Sequence, residues 1–403
     1  MKTDFWSAGH KPTLFAAFLY FDLSFMVWVL LGPLAVQISA DLHLTAAQKG
    51  MMVATPILSG ALLRIVMGVL VDHLQPKKAG LIGQVVVLIA LALAWFNGVH
   101  SYHQVLVLGV ALGMAGAAFA VALPLASRWY PAEHQGTALG IAGAGNSGTV
   151  LAALFAPGLA LAYGWNNVFG LALIPLLFAL AVYTVYAKDS PDCPPSKSLH
   201  QYLNVLKDKD AWWFMFFYSV TFGGFVGMAA SLTLYFNDQY GLLPVMAGYF
   251  TAACVLAGSL IRPLGGYVAD RIGGIRTLMT MYVIAAIFLL ILSFGMPNVY
   301  LALAVVVVAM AAFGVGNGAV FQLVPQRFRK EIGVMTGMVG MAGGVGGFYL
   351  ASSLGFSRQL TGSYQVGLTI FAGLAVLALI GLVSVKKRWR TTWGSATVTS
   401  AKV

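Results

Sequence analysis

The chain has 403 residues, of which 60% are hydrophobic and only 9% are charged, where a soluble domain carries about 25% charged residues. So few charges cannot form a polar skin over a chain of this length, which excludes a soluble enzyme, a disordered chain and a nucleic-acid-binding module. The net charge of +11 must then be explained by where the bases lie.

Twelve apolar runs follow one another, each long enough to cross about 30 Å of hydrocarbon as a helix. They lie at 13–37, 50–71, 79–97, 104–127, 137–163, 167–187, 212–236, 245–269, 278–296, 299–324, 333–355 and 365–385. The first is too long for the apolar stretch of a signal peptide, so no cleavable leader is expected. An even number of spans puts both termini on one side. With that side in the cytoplasm, Lys49 and Arg358 are the only bases in the outer loops, and every other Lys or Arg outside the spans is cytoplasmic. The positive charge is thus a topology signal for a multi-pass protein of the cytoplasmic (inner) membrane. It does not call for a nucleic-acid partner. Cys193 and Cys254 suggest neither a disulfide framework nor a metal site, and no cofactor is expected.

The spans divide into an N-terminal six-helix bundle (1–187) and a C-terminal one (211–386). Between them runs a cytoplasmic linker (188–210), and a cytoplasmic tail (387–403) follows. In the linker, Leu199, Tyr202, Leu203 and Leu206 recur at helical spacing and suggest a helix lying on the membrane surface. The halves repeat each other. Span 2 ends with Arg64, Gly68 and Asp72; span 8 ends with Arg262, Gly266 and Asp270 at the same spacing, 198 residues later. Paired six-helix repeats with a site at their interface are a design of secondary transporters. The loops after Gly68 and Gly266 resemble the cytoplasmic signature of the major facilitator superfamily, in a degenerate and a better form.

Three formal charges lie deep in the spans: Asp22, Arg64 and Arg262. Each is about 12–14 Å from the cytoplasmic edge at 1.5 Å per residue. Two central arginines cost roughly 5–7 kcal/mol on insertion scales. Facing each other across the interface they repel, and an anion between them turns that repulsion into attraction. Guanidinium is flat and forked, which suits a flat oxyanion. A small-anion site between spans 2 and 8 is therefore expected. Asp22 is either a permanent ion-pair partner of one arginine or a carboxylate that carries protons. No nucleophile, metal set or carboxylate pair for an enzyme stands in the spans.

Glycine concentrates in span 5 (Gly136, Gly140, Gly143, Gly145, Gly148) and span 11 (Gly333, Gly337, Gly340, Gly343, Gly344, Gly346, Gly347). Small residues at this spacing let helices approach closely. They do not explain Asn146, a polar amide in mid-span that could donate to an anion, with the bare backbone of Gly145 beside it. These stretches resemble the paired signatures of the nitrate/nitrite porter family. So do the segments around Asp22, Tyr218 and Gly316 to Arg329, and span 1 looks like a bacterial assimilatory-type member. The resemblance runs from about Lys11 to Lys386. It implies nitrate as substrate, nitrite as a possible one, and a twelve-helix all-α major facilitator fold.

It also implies that Arg64, Arg262, Asn146 and Tyr218 bind the anion, with Phe119 and Phe321 sandwiching it and Asn317 and Gln322 in support. Asn146 faces Gly343 as its repeat counterpart, so the site is asymmetric. Exchangers of the family are described as lacking protonatable groups near the substrate. Asp22 therefore favours proton symport over nitrate–nitrite exchange, the main alternative; formate or another small oxyanion is a further one. In the superfamily, Asp72 and Asp270 form cytoplasmic ion pairs that latch the outward-open state, with Arg128 and Arg329 or Lys330 as candidate partners here. One chain encloses a complete pathway, so a monomer is expected, with the lipid bilayer, the anion and protons as its partners.

Overall fold

A computed structural model describes residues 5–191, 203–328 and 331–393. Its described residues are almost entirely helical, with no strand. Among the described residues, eleven helices are long and apolar enough to cross a membrane. Large side chains on their outer faces, such as Phe96, Leu161, Ile174 and Leu360, are more than 60% exposed and require an apolar solvent. The twelfth span is the first. It is not one continuous helix: Lys11–Trp28 gives way to turns, and Ala35–Asp41 resumes the path. Of the helix expected in the linker, Leu199 and Tyr202 lie outside the described residues.

Other spans break where the sequence weakens the backbone ladder. Span 8 divides at Ile261 into Pro244–Leu260 and Arg262–Ile272, just where Pro263 lacks the N–H that would continue it. Span 5 tightens into a 3-10 turn, Ala144–Ser147, between Ala132–Gly143 and Gly148–Tyr163. Span 4 breaks between Tyr102–Gly116 and Phe119–Ser127.

The first six spans meet the last six along two seams, span 2 (Ala46–Leu74) against span 11 (Ile332–Thr361) and span 5 against span 8. The glycines sort into two roles. Gly343, Gly344, Gly346 and Gly347 press against spans 7 and 2, while Gly145 and Gly148 press against span 1. A Cβ on Gly148 would sit 1.7 Å from the Asp22 carbonyl oxygen, and one on Gly346 2.0 Å from that of Ser219. By contrast, a Cβ on Gly140, Gly143, Gly333 or Gly337 would meet nothing within 4 Å. Close packing, expected of most of these glycines, holds for the first group only.

The second group marks an opening. Gly340 faces Arg64 and Phe119 of the other half, and Gly337 and Gly333 follow it one and two turns along the same helix face. The seam therefore parts toward the face that carries the termini. At the opposite face it is shut. There Gly50 and Gly355 touch backbone to backbone, and Lys49 Nζ lies 3.5 Å from Asp238 Oδ1. The Tyr364 hydroxyl donates to the same carboxylate at 2.8 Å.

A stability difference follows. Gly148→Ala and Gly346→Ala should each lower the thermal unfolding temperature in detergent, since overpacking costs about 1–3 kcal/mol or more. Gly140→Ala and Gly337→Ala should leave it unchanged, and a thermal-shift series on the four variants checks this.

Candidate functional site

The local breaks build the site. In the span 4 break the Ala120 N–H turns to the Ala117 carbonyl, releasing the Gly116 carbonyl from its helical partner. That carbonyl accepts the Arg64 Nε–H at 3.2 Å. The same break begins a new helix at Phe119, whose ring lies 5.1 Å from the Arg64 Cζ. Arg64 is 1% exposed, and it also packs against Trp28 at 5.3 Å and Phe222 at 5.2 Å. Three aromatic faces around one guanidinium offset part of its lost hydration. Its Nη1 donates to the Gly340 carbonyl at 2.5 Å, across the seam. Its Nη2 is buried without a partner.

Arg262 stands at the start of the second helix of span 8. Its Nη2 donates to the Tyr218 hydroxyl at 3.2 Å, and its Cζ lies 5.6 Å from the Phe321 ring. Its Nη1, too, is buried without a partner. Tyr218 is fully buried; it stacks on Phe222 at 5.1 Å and meets Phe321 edge-on at 5.0 Å. Phe119 and Phe321, one from each half, have ring centroids 6.2 Å apart. Arg64, Arg262, Tyr218, Phe119 and Phe321 thus form one cluster, with a free donor on each arginine.

Asp22 does not pair with either arginine. No base of the described residues comes within ion-pair distance of it, and the Ser147 hydroxyl donates to its Oδ1 at 2.6 Å. Ser147 follows Asn146 in the 3-10 turn, so Asp22 is hydrogen-bonded to the residue next to Asn146. Asn146 is 2% exposed and its side-chain oxygen has no donor. Gly145 packs on Phe21, and Gly343 on the ring of Tyr218. Asn317 is 1% exposed, its side-chain oxygen likewise without a donor.

Away from the site, Asp72 lies 3.4 Å from Arg128, both in the first half. Asp270 is exposed, and its candidate partners Arg329 and Lys330 lie outside the described residues. The neighbouring Arg327 binds Asp208 at 2.5 Å and Asp210 at 2.9 Å; Asp210 also accepts from Arg388 and, at 2.8 Å, from Trp389. Sequence reasoning missed Trp28, Phe222 and the carbonyls of Gly116 and Gly340. Gly60 and Gly116 flank Trp28 so closely that a Cβ on either would collide with its indole, which is a trace of that tryptophan in the glycine pattern.

Residues 14–351 match the sequence profile of the Major Facilitator Superfamily. The chain belongs to that superfamily. It is accordingly a transporter by family and not an enzyme, as its sequence suggests. It is 33% identical to a nitrite extrusion protein of Bacillus subtilis, over 90% of each chain. It is 32% identical to a probable nitrate transporter NarT of Staphylococcus carnosus, over 91% of this chain and 94% of that one. A probable nitrate/nitrite antiporter NarK1 of Thermus thermophilus is 28% identical, over 91% and 89%. The fold is similar to that of a bacterial homolog of the human lysosomal transporter Spinster, with a TM-score of 0.72 and 18% identity. That likeness covers 96% of this chain and 100% of the other and speaks for the fold alone. The resemblance read from the glycine stretches is borne out by these relatives.

Proposed function

We propose that this chain carries nitrate, and nitrite, across the cytoplasmic membrane by alternating access, importing nitrate together with protons. The observation that carries this is the pair of buried guanidinium N–H donors without protein partners, one from each half, inside a wall of aromatic rings. Two cations with open donors need an anion, and a planar oxyanion fits both the forks and the rings. The names of the relatives supply the ion. The distribution of basic residues supports cytoplasmic termini, and with that orientation the conformation described here opens inward.

Import against an inside-negative potential is opposed by about 2.3 kcal/mol per charge per 100 mV. Accumulating nitrate therefore takes more than one proton per anion, or exchange for another anion. Asp22 supports the proton route: it is a buried carboxylate with no basic partner among the described residues, hydrogen-bonded to Ser147, the residue that follows Asn146. Exchange is the second reading, favoured by the antiporter and extrusion names among the relatives.

Proteoliposomes without internal anion, given an inward proton gradient and labelled nitrate, separate the two. Accumulation supports symport, whereas uptake that appears only with internal nitrite means exchange. Labelled formate transported in preference to nitrate would remove nitrate as the substrate.

A further inference from the structure

Arg262 and Arg64 differ in where their partners come from. Tyr218 and Phe321 belong to the same half as Arg262 and travel with it. Arg64 is held by Gly116 and Phe119 of its own half, but also by Gly340 and Phe222 of the other. A guanidinium offers an oxyanion two forks, side-on through Nε and Nη2 and end-on through Nη1 and Nη2. Both forks of Arg64 have one arm engaged here, the side-on by Gly116 and the end-on by Gly340. The free Nη2 leaves an anion one arm.

We propose that the Gly340 carbonyl is a built-in competitor for the anion: it holds the end-on fork of Arg64 to one arm while the terminus-bearing face is open, and so weakens the anion for release there. This inference rests on the anion site proposed above. The Gly340–Arg64 bond crosses the seam that must rearrange when the halves swing. Opening the opposite face separates span 11 from span 2, draws the carbonyl away and frees the second arm. Nitrate is then held by two arms where it is captured and by one where it is released. Gly116, in the same half as Arg64, stays in place throughout. A Cβ at 340 would make only ordinary contact, 3.4 Å from Phe119 and 3.6 Å from Nη1, so the carbonyl and not the missing side chain is what acts.

The loss of one charge-assisted hydrogen bond corresponds to roughly tenfold or more in affinity. Wild-type protein in oriented proteoliposomes should therefore show half-saturating nitrate about tenfold higher on the terminus-bearing face than on the opposite one. Chloride, a spherical competitor that cannot use a fork, should inhibit equally from both faces. Replacing the Gly340–Met341 amide by an ester, which weakens that carbonyl as an acceptor, should tighten nitrate on the terminus-bearing face alone. An ester at Gly344–Val345 is the control.

Equal nitrate half-saturation on both faces overturns the proposal, and so does an asymmetry that chloride shares. Should the ester variant fail to fold, the wild-type comparison of nitrate with chloride still decides. Absence of saturable nitrate transport from either face would instead refute the anion site itself.

Discussion

Arg64→Lys and Arg262→Lys should each cut nitrate uptake by at least tenfold while leaving the protein folded. Lysine keeps the charge, so a merely electrostatic role would survive the change. What it loses is geometry. Arg64 spends two nitrogens on the carbonyls of Gly116 and Gly340 and holds a third open. A single ammonium cannot reach both carbonyls and an anion in one plane. Hydrogen bonds to a charged group contribute about 1.5–3 kcal/mol each, or on the order of 10- to 100-fold. Arg64→Lys also withdraws the flat cation from Trp28, Phe119 and Phe222, so it should be the more damaging of the two. Initial rates of labelled nitrate uptake, set beside thermal unfolding of each variant, check this. Wild-type rates in either variant would remove the two-arginine site.

Asp22→Asn should abolish accumulation driven by a proton gradient and spare exchange of nitrate across the same membrane. Asparagine matches the carboxylate in volume, and its oxygen can still accept from Ser147, so the packing of span 1 on span 5 should persist. It cannot take up and release a proton. If Asp22 is a proton carrier, the variant equilibrates nitrate but never concentrates it. The measurement is the steady-state ratio of internal to external nitrate under an imposed pH gradient. A ratio still well above unity would mean that Asp22 serves packing only. Loss of exchange as well would point to the same conclusion, since the cap on the 3-10 turn would then be its contribution.

Much of this arrangement is legible in the residues. Length and hydropathy mark the twelve crossings, and the repeat of Arg64 in Arg262 marks the halves and the depth of the site. The rings at Phe119 and Phe321 came from family resemblance, because a phenylalanine in a membrane helix usually only packs. The break in span 1 at residues 29–34 carries a signature in Gly32–Pro33, which a count of apolar runs passes over. Two features leave little or none. Gly116 and Gly340 act through carbonyls that every residue possesses, and only the fold brings them to Arg64. Asp22 could have paired with either arginine by depth alone; its capture by Ser147 depends on the 3-10 turn that carries Asn146. The glycines show the same limit. Spacing predicts a bare helix face, but only the tertiary arrangement separates Gly346, pressed on Ser219, from Gly337, facing the opening.

The central claim is that one anion is shared by Arg64 and Arg262, and nitrate binding in a double-mutant cycle tests it most directly. Titrating nitrate into purified wild type, Arg64→Lys, Arg262→Lys and the double variant should give strong coupling. Each single change should weaken binding at least tenfold, and the second should add much less than it does alone, because the shared ligand is already lost. Losses that simply add would place the two arginines at independent sites, and unchanged affinity in either single variant would contradict the account outright.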